Sequence, residues 1–177
     1  MPNRVIVPVS SSGAIDLVSD VTTNAIVDVS GYFTAASSTA TGSQFNGEAT
    51  PVRIVDTRCA ASPAPSFCST ESIPSANSGL GTLGAGQSMT VQVTGIAGIP
   101  GTATAVAINV TVTNTTANGF LSVNPAATPP TTSDLNWLAG ETVPNLVIAK
   151  VSSAGTITIY NYTGSADVIV DVMGWYQ

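Results

Sequence analysis

The sequence predicts an all-β protein, an antiparallel two-sheet β-sandwich of jelly-roll-like kind, and three observations carry that expectation. Runs rich in Val, Ile and Thr alternate with polar residues and are bounded by Gly, Pro, Asn and Ser. No stretch repeats its apolar residues at a helical period. Residues 51–177 hold eight such short runs, a number that suits two packed sheets better than a barrel or a trefoil.

Taken in order, the chain opens with three predicted strands near 5–9, 14–18 and 25–33. A stretch of Ser, Thr, Ala and Gly follows over 35–50 and reads as a linker by its small polar composition. The remaining strands are expected at 52–57, 89–94, 105–113, 120–124, 135–137, 146–151, 156–161 and 168–176. The sequence does not fix their order.

The chain also repeats itself. PNRVIVPVSSSGAIDLVSD, from Pro2, returns as PNLVIAKVSSAGTITIYNY from Pro144, and AIVDVSGYF from Ala25 returns as VIVDVMGWY from Val168, after one extra residue in the later copy. Order, spacing and punctuation all recur. Residues 1–34 therefore read as the C-terminal strands of a preceding repeat, 35–50 as the linker and 51–177 as a complete repeat. Three strands with open edges do not fold alone. They are expected either to pack on the main domain or to lend themselves to another molecule as complementing strands.

Composition removes several function classes. With 44 % hydrophobic but only 8 % charged residues, the surface must be covered by Ser, Thr, Asn and Gly. The cations are Lys150, Arg4, Arg53 and Arg58, against ten acids and a net charge of −6, so no basic track exists for nucleic acid. The longest apolar runs fall far short of the roughly 20 residues of a membrane span, so membrane insertion is not expected. The opening MPNRVIV lacks the features of a signal peptide. Met1 accordingly reads as a processed or artificial start, with any export signal of a parent protein upstream.

Cys59 and Cys68 flank AASPAPSF, an irregular Pro/Ser/Ala loop, and a disulfide is the natural pairing, with two free thiols as the alternative. Zinc is the weaker reading, because the chain has no histidine and two thiolates do not fill a tetrahedral shell. A disulfide implies an oxidising, extracellular setting.

Each repeat copy places an acid inside an apolar strand, Asp28 in IVDVSGYF and Asp171 in IVDVMGWY. A period of two puts Asp171 on one face with Ile169, Met173 and Trp175. A buried carboxylate needs a partner. Arg53 and Arg58 in PVRIVDTR, with Asp56 between them, are the candidates for a structural ion network. The functional alternative is a metal site or an acid/base pair.

With these blocks in hand, the chain resembles a tandem repeat of large secreted and cell-surface proteins of actinobacteria and other soil bacteria. That repeat opens on Pro-x-Arg-x-x-Asp-Thr-Arg, continues through Asn-Val-Thr-Val-Thr and Val-Pro-Asn-x-Val, and closes on Asp-Val-Ile-Val-Asp-Val-x-Gly-Trp-Tyr. The matching blocks here are residues 51–58, 109–113, 143–147 and 167–176. The resemblance implies a secreted accessory module and carries no catalytic residues. The Cys59–Cys68 insertion departs from the simpler pattern.

No Gly-x-Ser-x-Gly elbow, nucleotide loop or histidine is present, so no catalytic residue and no cofactor are expected, and an acid-pair hydrolase is the remotest reading. The dispersed acids do not make a calcium ladder, and no metal site is expected. Trp137, Tyr160, Tyr162 and Trp175 are candidate platforms for polysaccharide, with core packing as the plainer account of the two tryptophans. The sequons at Asn109, Asn114 and Asn161 read as ordinary strand and turn residues. The leading expectation is a non-catalytic, secreted structural or adhesive module that self-associates with neighbouring copies or adjacent repeats into a stalk, fibre or filament. A carbohydrate-binding accessory module is the alternative.

Overall fold

Alternating apolar sequence becomes strand in this protein wherever a partner strand is present to take its backbone hydrogen bonds. The computed structural model describes residues 4–5, 7–29, 31–33, 42–126, 128 and 132–177. Its strands are β1 (Phe45–Asp56), β2 (Ser88–Gln92), β3 (Ala105–Thr113), β4 (Gly119–Asn124), β5 (Leu135–Trp137), β6 (Val143–Lys150), β7 (Thr156–Asn161) and β8 (Asp167–Tyr176). They form two antiparallel sheets, ordered β1-β8-β3-β6 and β2-β7-β4-β5.

The order has a simple logic. β1 pairs with β8, β2 with β7, β3 with β6 and β4 with β5, as in a long antiparallel ribbon folded at its middle. Two further pairings, β3 with β8 and β4 with β7, roll that ribbon into two sheets. This is the jelly-roll arrangement. Val106, Ile108, Val110 and Val112 of β3 and Val168, Val170 and Val172 of β8 face Leu121 and Val123 of β4 and Ile157 and Ile159 of β7, and all are buried. Each apolar face is thus covered by the other, at about 25 cal/mol for each Å² removed from water.

β1 begins at Phe45, inside the segment read as linker, because residues 45–47 find partners at Tyr176, Trp175 and Gly174 of β8. The Phe45 and Tyr176 rings meet at 5.1 Å. Residues 35–41 of that segment, and 1–3, 6, 30 and 34 of the N-terminal part, lie outside the described residues.

The described residues of 4–33 carry no strand, contrary to the three runs expected there. The topology explains the difference. By the repeat alignment these runs correspond to β6, β7 and β8, and none of those three pairs with another: β6 bonds to β3, β7 to β2 and β4, and β8 to β1 and β3. The segment lacks every partner its sequence calls for, and Val5, Leu17, Ile26 and Val29 stand exposed. It touches the sandwich through Arg4, which donates to the Leu146 carbonyl at 2.9 Å and pairs with Asp134 at 3.2 Å.

One feature of the segment does form, the turn between its first two runs. Ser10 N–H donates to Ala14 O and Gly13 N–H to Ser10 O, both at 3.0 Å, and Ala14 N–H donates to Ser10 Oγ at 3.0 Å. Between β6 and β7 the aligned residues make the same three bonds: Ser152 to Thr156 and Gly155 to Ser152 at 2.9 Å, and Thr156 to Ser152 Oγ at 3.1 Å. Gly13 and Gly155 share a left-handed backbone, with φ of 80° and 78°, which glycine adopts without steric cost.

Candidate functional site: an arginine–carboxylate network beside a disulfide

The end of β1 and the short 3-10 turn after it bring PVRIVDTR onto the outer face of the first sheet. Arg53 lies directly across from Asp171 in the β1–β8 register. Its Nε donates to Asp171 Oδ1 at 2.8 Å and its second amino nitrogen to Oδ2 at 3.3 Å. The remaining nitrogen donates to Glu71 Oε1 at 2.6 Å and lies 3.6 Å from Asp56. Asp171 raises the pKa of Arg53 first by these bonds, Glu71 adds to the effect, and burial opposes it.

Arg58 turns to Asp56 rather than to Asp171. It makes a two-pronged pair with that carboxylate through Nε at 2.8 Å, and its backbone N–H donates to the same Asp56 Oδ1 at 3.1 Å. Asp56 thereby caps the 3-10 turn that follows β1. Burial works to raise the Asp56 pKa, but the bonds and positive charge of Arg58 prevail and hold it below the ordinary value. The Arg58 guanidinium also sits 4.4 Å over the Phe67 ring.

Cys59 and Cys68 are joined as a disulfide. Glu71, which the sequence did not single out, comes within 3.7 Å of Cys59 Sγ and closes the cluster. Donor atoms of Asp56, Cys59 and Glu71 lie within 4.8 Å of one another. They do not make a free ligand set: the sulfur is spent in the disulfide, and both carboxylates are held by arginines.

Asp28 does not join this network. It is exposed and has no ion-pair partner among the described residues, because the arginine it would face belongs to a β1 strand that its own segment does not supply. Its charge acts on Asp134, whose pKa burial raises, while the Val123 N–H and Arg4 favour the charged form and Asp28 disfavours it. Another acid passed over in the sequence, Asp167, is buried and accepts from Thr57 Oγ1 at 3.0 Å, Thr82 Oγ1 at 2.6 Å and Asn114 Nδ2 at 2.8 Å. The two sequons outside that network are also placed, Asn109 within β3 and Asn161 fully buried at the end of β7.

The candidate sugar-contacting aromatics divide. Trp137 is buried, and its indole N–H donates to the Ala117 carbonyl at 3.0 Å, so it is a core residue. A period of two put Trp175 on the same face as Asp171. An extra residue, Met173, breaks the register between β8 and β3 and moves Trp175 onto the core side, where it packs on the apolar cluster. Tyr160 and Tyr162 do stand together on the solvent face of the second sheet. Phe120 of β4, missed in the sequence, stacks on Tyr162 at 4.6 Å and meets Tyr160 edge-on at 6.5 Å.

No helix of the described residues is long and apolar enough to cross a membrane, and the disulfide is compatible with an extracellular protein. No protein-family model matches the chain, and no curated protein matches it significantly.

Proposed function

We propose that this chain is a non-catalytic, extracellular structural or adhesive repeat module that joins neighbouring copies or adjacent repeats into a stalk, fibre or filament by strand complementation. The observation that carries the reading is the exposed apolar segment 4–33, a strand-rich sequence without strand partners beside a sandwich that is complete. Its ionic groups are spent on one another: Arg53, Arg58, Asp56, Glu71 and Asp171 form closed pairs that stiffen one end of the sandwich. A disulfide beside them suits a secreted, cell-surface setting.

Light scattering of the full chain and of a chain without residues 1–34, across concentration, tests the proposal. Mass that grows with concentration only when the segment is present is the expected result. A strict monomer in both forms overturns self-association.

A second reading rests on the Phe120, Tyr160 and Tyr162 cluster, an aromatic surface of the kind that stacks on sugar rings. Retention of the chain on insoluble polysaccharide, abolished by Tyr162→Ala with the fold intact, is what that reading expects. Trp137→Ala does not test it, since loss of a buried indole costs about 3–5 kcal/mol of stability by itself.

A further inference from the structure

The sandwich divides into two halves that cannot stand apart. β1 to β5 supply every strand that β6, β7 and β8 pair with, and the last three close the two sheets by filling one edge and two interior positions. Residues 4–33 repeat the sequence of that closing half, and their turn repeats its three hydrogen bonds. Six exposed apolar positions align with buried ones: Val5 with Val147, Val7 with Ala149, Ile15 with Ile157, Leu17 with Ile159, Val27 with Val170, and Val29 with Val172. Asp28 aligns with Asp171, the carboxylate that Arg53 grips.

Simple addition at a sheet edge does not use these features. The four edges are blunted: β1 carries two register shifts, β6 carries Pro144, β5 has three residues and β2 five. Exchange between two complete copies can link them but does not use up the segments, because each copy holds one β1–β5 half and two closing segments and the number left unpaired is unchanged.

Given the structural role proposed above, we infer that residues 4–33 are the closing half of a second sandwich and bind the β1–β5 half of another copy of this repeat. Residues 5–9 then lie on β3, 15–17 between β2 and β4, and 27–29 between β1 and β3. Asp28 faces the arginine at the Arg53 position of that copy. The partner's chemistry is thus defined: an open two-sheet framework with branched apolar inner faces and an unpaired arginine at one end.

The chain itself can be given that partner. Residues 45–142 are placed ahead of Met1 of the full chain, so that Met1 follows Thr142 as Val143 does in the sandwich, and amide hydrogen exchange is measured in the extended and original proteins. Expected is a rise in protection at residues 15–17 and 27–29 of about 100-fold or more. Asp28→Ala should then loosen only the added sandwich, and Asp171→Ala only the original one. The pairing is overturned if those amides exchange as fast as in the original chain while 45–176 remain protected. It is equally overturned if the added half depends on Asp171 and not on Asp28, since residues 143–176 would then be closing it. A monomer in the light-scattering experiment leaves this result untouched, so the two readings fail separately.

Discussion

Arg53 shows how much one side chain can hold when it is placed opposite its partner in a strand register. It joins Asp171 of β8, Glu71 of the disulfide loop and, more distantly, Asp56, so removing it leaves Asp171 and Glu71 without their cation while Asp56 keeps Arg58. The guanidinium is partly open to water, with 35 % of its side chain exposed, which weakens the loss relative to a buried ion pair. Arg53→Ala is expected to lower stability by about 1–3 kcal/mol in chemical denaturation. Asp56 gives a pH signature. Its folded pKa lies below the ordinary 3.8, so its contribution is fully present above that value and disappears as pH falls through the lower folded one. Asp56→Asn should therefore reduce stability at neutral pH and flatten the acid limb below about pH 4, as read from denaturation midpoints across pH. An unchanged acid limb would remove Asp56 from the network's pH dependence.

At the scale of elements, the turns and loops are held locally and the strands are not. The Cys59–Cys68 bridge spans a sequence separation of 9 and secures a loop that otherwise has only short 3-10 turns. Replacing both cysteines by serine is expected to cost about 2.5 kcal/mol, from the regained freedom of a loop of that length. The Gly155 turn offers a sharper contrast. Both glycines hold a left-handed backbone, but an added Cβ at Gly155 would also run into the Thr94 hydroxyl, whereas the same atom at Gly13, in a segment outside the sandwich, meets open space. Gly155→Ala should lower the melting temperature clearly, by the equivalent of about 1–3 kcal/mol, while Gly13→Ala should leave it within about 0.5 kcal/mol. Equal effects at the two glycines would mean that segment 4–33 is already part of the folded unit.

The whole molecule is one closed sandwich with a segment attached at few points. Among the described residues, Arg4 is the side chain that ties the segment to the sandwich by hydrogen bonds, to Asp134 and the Leu146 carbonyl. Deleting residues 1–34 is therefore expected to change unfolding stability by no more than about 1 kcal/mol in denaturant, with the slope of the transition unchanged. A larger loss would show that the segment packs as part of the core.

The sequence by itself determined the strands of the sandwich, since eight alternating runs each became a strand, seven of them within a few residues of their expected bounds and β1 extended back to Phe45 through the segment read as linker. It also narrowed the partners of Asp171 to Arg53 and Arg58, because a carboxylate inside an apolar strand needs one, and the fold chose Arg53 while Arg58 took Asp56. The disulfide followed from two cysteines on one loop. Only the tertiary structure decided strand order, because pairing between residues more than a hundred positions apart leaves no local signal, as with β1 and β8. It decided the face of Trp175, which a single bulged residue reversed. It decided that Phe120, distant in sequence, completes the tyrosine pair. Most of all it separated the two copies of one repeat: residues 4–33 and 143–176 share a pattern, yet the first kept only its turn and the second became three strands. A turn closes its hydrogen bonds within five residues, whereas a strand must borrow them from a neighbour. Sequence specifies the willingness to pair, and the fold decides who is there to be paired with.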